Sequence, residues 1–526
     1  MSGRKKIKEN LRDYDEVKRS FDPIIIYKRG VRDIRMADNK GEDRIQEWGS
    51  RVSVGQFIDI VAVFITVSLF VAAVAAAFYT GRGPATVLTD WIRIMTSPEP
   101  LITDYFKEAG LSATFFNAGV CGLICTMFML LLEGSSKPNS FAGYILVVAH
   151  CFYGLNPVTM MPCFLAPILY LKLKKLSLND NLHICMFATC FGPFISEFLF
   201  RYTLGDAFVQ GEVHMTVLGI LIAVVFSIIL GFIVPAILPG ANAWHKGYNL
   251  YNGGLAFGIF GFFVFNLLYT TFGVAAPEPL NFDNPIYEGL SDPHSGFINC
   301  YFLCIFGIAL AAGIVLNGGS YKGYLDLLKD TGYRSSFVER YSMPVCLINI
   351  GCYGLMMLAY VNFTMLISFG VGFTGPTTGA IFAAITFVLL GQHPRNVLPI
   401  LCGFVGIYIA DAAIRTLTGI NPGWTISSQV YINAAAFATG MCPIVGKFGK
   451  ISGFVAGFMD AAICSSTAAL HGGLVLYNGG FTSGLTVLML LPILEHYAHE
   501  IKLNERPMSM ENFFIVEHGK DFRDLE

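Results

Sequence analysis

Three carboxylates lie inside apolar runs that hold few other charges: Glu197 in Phe-Ile-Ser-Glu-Phe, Asp411 in Tyr-Ile-Ala-Asp-Ala and Asp460 in Phe-Met-Asp-Ala-Ala. An ionisable side chain in such a run is costly, so each is a functional candidate by default. The chemistry open to it is proton binding, cation binding or pairing with a base. Arg201 and Arg415 follow Glu197 and Asp411 by four residues. That spacing puts both members of each pair on one helix face, so a salt bridge accounts for these two as well as an ion pathway does. Asp460 has no base at that spacing and is the leading site for H+ or Na+. His150, also in an apolar run, is a further candidate.

A second set of candidates is written twice. His245-Lys-Gly-Tyr-Asn-Leu-Tyr251-Asn252-Gly253-Gly254 recurs as His471-Gly-Gly-Leu-Val-Leu-Tyr477-Asn478-Gly479-Gly480. The glycines let the backbone leave a helix. Asn252 and Asn478 are placed to cap the helix that follows. A helix N-terminus within a membrane offers free N–H groups to a polar solute, and unwound carbonyls beside it offer ligands to a cation. His245 and His471 can donate to a substrate or relay a proton. The alternative is an interfacial turn with its tyrosine in the aromatic belt. Asn156-Pro157 and His393-Pro394 form a third pair. A proline after a polar residue ends one half-helix and opens the next. Aquaporin-type pores use Asn-Pro pairs in this way, but Val158 and Arg395 stand where that motif has alanine. An ordinary proline kink explains the pairs equally well.

The elements that must position these residues follow from composition. The chain has 526 residues, 54% hydrophobic and 14% charged, with a mean hydropathy of +0.58. A soluble domain carries roughly 25% charged residues. Residues 1–51 hold 14 Lys/Arg and 10 Asp/Glu, so the rest is poorer still. This excludes a soluble enzyme, a disordered chain and a secreted disulfide scaffold. The net charge of -2 leaves no footprint for nucleic acid. The 13 cysteines make no CxxC pair and no zinc spacing, so they read as buried thiols. Neither a P-loop, a Gly-x-Ser-x-Gly elbow nor a His-Glu-x-x-His motif is present. No cofactor is expected.

Apolar runs cover 54–79, 111–133, 141–153, 158–171, 183–199, 215–238, 254–272, 297–317, 344–369, 378–391, 396–411, 430–446, 453–470 and 482–497. A helix needs about 20 residues to cross the hydrocarbon core. The shorter runs come in adjacent pairs broken by Gly and Pro, as broken or re-entrant helices do. Besides the long motif, three shorter matches recur in the same order. Asn117-x-Gly-x-x-Gly-Leu matches Asn349-x-Gly-x-x-Gly-Leu. Gly154-x-Asn-Pro-x-x-x-x-Pro162 matches Gly391-x-His-Pro-x-x-x-x-Pro399. Phe187-Ala-Thr-x-x-x-Pro193 matches Phe437-Ala-Thr-x-x-x-Pro443. Together they establish an internal duplication.

With these motifs the chain resembles a family of bacterial integral membrane proteins known only as a domain of unknown function, usually present as two tandem copies. The resemblance spans about residues 54–500 and implies neither a substrate nor catalytic residues.

The expected fold is an all-α, polytopic bundle with about 10 crossings plus two broken helix pairs, at 141–171 and 378–411. Its parts are a cytoplasmic segment 1–51, repeat 1 over 52–290, repeat 2 over 291–500 and a cytoplasmic tail 501–526. Lys172, Lys174, Lys175, Lys322, Lys329, Arg334, Arg340, Lys447 and Lys450 mark inside loops. The acidic loop 273–296 falls outside. An odd number of crossings per repeat inverts the second copy. The expected function is a secondary transporter or channel-like facilitator of a small polar solute in the cell membrane, with the bilayer as partner, H+ or Na+ as a coupling ion and oligomers open. An enzyme acting on a lipid-linked substrate and a non-transporting scaffold are the alternatives.

Overall fold

A computed structural model describes residues 52–98, 103–209, 212–277, 294–370, 372–420 and 424–497. The expectations for 1–51, for the acidic loop 278–293 and for the tail 501–526 fall outside the described residues. Every regular element described is helical.

The first half begins with α1 (Val54–Thr80), which Ser53 opens with a capping box to Gln56 and Gly81 closes at a positive φ. A short α2 (Pro84–Thr96) follows, then α3 (Tyr105–Leu131), α4 (Pro138–His150) and α5 (Pro157–Leu173). Next come α6 (Leu178–Ala188) and α7 (Gly192–Phe200), joined by a 3-10 turn at Thr189–Phe191. The half ends with α8 (Val217–Trp244) and α9 (Asn252–Phe265), the latter continuing as a π turn to Thr271.

The second half repeats this order: α10 (Ser295–Leu316), α11 (Met343–Ser368), α12 (Gly375–Ala384), α13 (Pro394–Thr418), α14 (Gln429–Ala438), α15 (Cys442–Phe448), α16 (Lys450–Leu470) and α17 (Asn478–Tyr497). A 3-10 turn at Thr439–Met441 joins α14 to α15, as in the first half. The α2 segment has no helix of similar length in the second half; residues 318–342 there hold only single turns.

Among the described residues, nine helices are long and apolar enough to cross a membrane. The outward faces of α1 (Val67, Val71, Val74) and α8 (Leu221, Val224, Ile228) are exposed and apolar along their length. Continuous apolar faces of that extent belong against lipid. The protein is an integral, multi-pass membrane protein.

The two broken pairs are not equally long. Residues 157–173 form a 17-residue helix, while α13 runs 25 residues and is itself long enough to span. The reason is local. Lys172, Lys174 and Lys175 end the first apolar run, and Lys175 adopts a positive φ. The second run continues through Ile407–Thr418 to a left-handed cap at Gly419.

Packing repeats with the sequence. α1 packs on α3 as α10 packs on α11, and α5 on α8 as α13 on α16. The last of these contacts depends on equivalent glycines. A Cβ on Gly231 would strike the Ala166 carbonyl, and one on Gly457 the Ile400 carbonyl. The main contacts between the halves are α4 with α12 and α9 with α17, with lesser ones between α1 and α10 and between α3 and α12.

Gly231→Leu and Gly457→Leu should each force these backbones apart and destabilise the fold by about 3 kcal/mol or more. Gly307→Ala, whose added Cβ meets nothing within 4 Å, should be neutral. Thermal unfolding of the purified variants in detergent checks both expectations.

Candidate functional site

The two His-to-Gly-Gly segments interrupt what would be long helical hairpins. After Trp244 the chain turns at Lys246 and Gly247, with φ of 54° and 83°, and at the equivalent Gly472 and Gly473, with φ of 59° and 72°. Positive φ at two successive residues ends each helix, which explains the glycines of the second copy. The following residues leave the helix, and their backbone groups need partners. Each finds one in the opposite half. Leu250 N–H donates to the Gly440 carbonyl at 2.9 Å, and Leu476 N–H donates to the Cys190 carbonyl at 2.9 Å. Both acceptors lie in the 3-10 turns.

Helices then restart at Asn252 and Asn478, and their first turns lie side by side. A Cβ on Gly254 would strike the Gly480 backbone. Gly484 packs on Leu255 and Gly258 on Phe481, which is one contact with the halves exchanged. Gly261 packs on Val475. These contacts run in opposite order along the two helices. The two motifs therefore meet, although 226 residues separate them in sequence.

Around this junction lies a cavity of about 20 Å³, lined by Tyr251, Asn252, Gly253, Tyr477, Phe187 and Phe387 among others. It has room for about one water molecule. Tyr251 Oη donates to the Ala383 carbonyl at 2.6 Å, whereas the buried Tyr477 Oη has no partner. Gly479 has no room for a side chain, because Phe437 occupies the space.

The histidines of the motifs differ. His471 Nε2 lies 3.0 Å from Asn478 Oδ1, so this nitrogen carries the proton and donates. His245 is also buried, but neither ring nitrogen has a hydrogen-bond partner, and neither does Asn252 Oδ1. His150 bridges the Leu146 carbonyl at 2.6 Å and the Leu476 carbonyl at 3.0 Å. The half-helix α4 is thus tied to the second motif.

Asn156 and His393 are helix caps. Asn156 Oδ1 accepts from Val158 and Thr159 N–H, and its amide donates to the Ile94 carbonyl at 3.1 Å. His393 Nδ1 accepts from Asn396 N–H at 3.3 Å, and Nε2 donates to the Asp330 carbonyl at 2.9 Å. A ring nitrogen does in one half what an amide oxygen does in the other, and this accounts for the divergence at that position. Neither residue lines the cavity.

The carboxylates separate. Glu197 is paired with Arg201 at 2.6 Å and accepts from Tyr269 Oη at 3.0 Å. Asp411 is paired with Arg415, which also lies over the Trp424 ring. Both are engaged as ion pairs away from the motif junction. Asp460 is fully buried at 0% exposure, with Thr486 Oγ1 3.4 Å from Oδ2 and nothing on Oδ1. Among the described residues no group of three or more His, Cys, Asp or Glu could hold a metal ion.

Two residues were visible in the sequence only as repeat anchors. Asn117 Nδ2 donates to the Cys151 and Leu155 carbonyls, both at 2.9 Å. Asn349 Nδ2 donates to the Val388 and Gln392 carbonyls at 3.0 and 2.9 Å. Each asparagine closes the break between two half-helices. The signal was present, since a buried amide copied within apolar runs needs backbone to bond, but the sequence does not say which backbone.

Two stretches, 84–270 and 316–496, match the family model described as protein of unknown function DUF1576. They leave out the first helix of each half, α1 and nearly all of α10. The chain belongs to this family, which it carries in two tandem copies. No curated protein and no solved structure matches it.

Asn117→Leu and Asn349→Leu should each orphan two buried carbonyls, at about 1–3 kcal/mol for each group. Chemical denaturation in detergent should show losses of similar size for both. Arg201→Met strands the Glu197 charge and should cost about 3–5 kcal/mol in the same measurement.

Proposed function

We propose that this member of the DUF1576 family moves a small polar solute across the cell membrane along the seam between its two halves, as a secondary transporter or channel-like facilitator. The observation that carries this reading is the meeting of α9 and α17. Two helix N-termini and two stretches of unwound backbone converge in the interior of a membrane bundle. Free N–H groups and carbonyls at such a break are the usual ligands of solutes and ions in transporters built from repeats. Tyr251, Asn252 and Tyr477, which line the small cavity, would select for polarity, and its size fits a closed, occluded state.

We read the halves as inverted-topology repeats with both termini cytoplasmic. Reciprocal contacts running in opposite order along α9 and α17 support the inversion, and the basic loops support the orientation. Inverted halves can rock about a fixed central site, giving access from either side in turn.

Light scattering by proteoliposomes after an osmotic jump with small polyols, urea or neutral amino acids tests the function. Protein-containing vesicles should re-swell faster than empty ones for at least one of these classes. Tyr477→Phe should slow or reshape that selectivity without unfolding the protein. Equal kinetics for every solute, with turnover of lipid-linked substrate in the same vesicles, would instead support the enzyme reading. Equal kinetics with no turnover would leave the scaffold. Single-cysteine labelling at Gly134 and Gly370, which follow the equivalent helices α3 and α11, should find them on opposite sides of the membrane.

A further inference from the structure

The second half carries polar rungs that the first half lacks. Along the α16–α17 interface, Asp460 Oδ2 faces Thr486 Oγ1 at 3.4 Å, Thr467 Oγ1 faces Thr482 Oγ1 at 2.6 Å, and His471 Nε2 faces Asn478 Oδ1 at 3.0 Å. All six side chains are buried. Thr482 Oγ1 also donates to the Asn478 carbonyl at 3.0 Å, which links the second rung to the third. At a rise of 1.5 Å per residue, the run from Asp460 to His471 covers about 16 Å, or half of a bilayer's hydrocarbon core. The residues in register in the first half are Val234 and Phe260, then Ala241 and Ala256. Only the histidine and asparagine of the motif itself are shared, and in the first half the two are not hydrogen-bonded. The ladder is therefore not a by-product of duplication.

Asp460 sits at the blind end of this ladder. Its Oδ1 is buried without a partner. Of the titratable groups on α16 and on the helices packed against it, Cys464, one turn along, is the one in electrostatic contact with it. The nearby cations are committed or distant. Lys447 lies over the Tyr333 ring, Arg415 is paired with Asp411, and Lys450 and Arg395 stand at the first turns of α16 and α13. Cys402, Tyr408, Tyr431, Cys442, Glu495, His496 and Tyr497 complete the set on those helices, and Tyr360 of α11 is in electrostatic contact with Cys464. A carboxylate charge here has one hydroxyl and no counter-ion, and uptake of a proton removes that cost.

We propose that Asp460 is a proton-binding site, reached from His471 and the junction of the two motifs along the line of the Thr467–Thr482 pair. The chemistry is a plain transfer: the carboxylate gains H+ from water and becomes the neutral acid, while the Thr467 and Thr482 hydroxyls offer hydrogen bonds to the water that carries it. The Nδ1 of His471 is buried without a partner and is free to take up an arriving proton. The ladder stands in one half only, so this route has no counterpart in the first half. Its use in driving solute movement rests on the transport reading, but the site itself does not.

The test uses the purified full-length protein in detergent, with no solute present. Infrared difference spectra between acidic and alkaline buffer should contain a buried carboxylic-acid band. That band should vanish in Asp460→Asn, which keeps the size of the side chain, and shift in Thr486→Val. Proton uptake over the same interval should fall by about one proton per chain in the Asn variant. Asp460→Glu, a check that the site tolerates change, should retain a shifted band. Thr467→Val with Thr482→Val should slow uptake after a pH jump and leave its amplitude unchanged. An unaltered band in Asp460→Asn overturns the site. Sodium chloride that abolishes the uptake, where choline chloride does not, makes it a sodium site instead. An unchanged rate in the double Val variant removes the ladder as the route. If Asp460 titrates in vesicles that move no solute, the transport reading fails and the proton site stands.

Discussion

Every helix break inside an apolar bundle leaves backbone N–H and C=O groups without partners, and there is no water to supply them. The rest of this structure follows from how those groups are satisfied. Asn117 and Asn349 each bind the two carbonyls freed where one half-helix gives way to the next. The stretches before α9 and α17 go further and draw their partner from the opposite half, at Gly440 and Cys190. The second device has a consequence that the first lacks. A motif that borrows a carbonyl from the other repeat cannot form its own structure alone, so the central junction exists only when both halves are docked.

Glycine makes that docking close enough to work. Leu250 and Leu476 can reach across because Gly254 and Gly480 let α9 and α17 touch at the backbone. Without a hydrophobic driving force between helices in lipid, association depends on such close contact and on interhelical hydrogen bonds. The same logic places Gly231 and Gly457 where α8 and α16 cross their neighbours. Duplication preserved these positions because a Cβ at any of them would separate two backbones.

Much of this could be read from residue order. Apolar runs and sparse charge led to a helical membrane bundle, and four in-register motifs led to two copies. The i,i+4 spacing pointed to the Glu197–Arg201 and Asp411–Arg415 pairs, and both form. Spacing within one helix is local and carries its own geometry. The contacts that build the junction are not local. Nothing in Leu250 or Gly440 marks them as partners, because a backbone hydrogen bond leaves no trace in side-chain identity. The broken pairs differ in length because Lys172, Lys174 and Lys175 end α5, whereas α13 runs on to Gly419. The short α2 escaped because its 13 residues carry a mixed pattern with Asp90 turned inward to meet Arg82.

Where backbone must be satisfied the two halves do the same work, mostly with the same residue, and elsewhere their side chains differ. Asn117 and Asn349 are identical, as are the motif asparagines and the glycines that pack on backbone. By contrast, His150 bonds the Leu476 carbonyl, while Phe387, its counterpart, packs edge-on against Tyr251. Tyr251 spends its hydroxyl on Ala383, while Tyr477 keeps its own free beside the cavity. Asp460 and its threonines stand where the other copy has Val234, Phe260 and two alanines. A symmetric frame with an asymmetric lining separates two demands. The frame needs two halves of matched geometry that share one junction. The lining need not be matched, and a polar track confined to one half gives the junction a direction that the frame alone would not have.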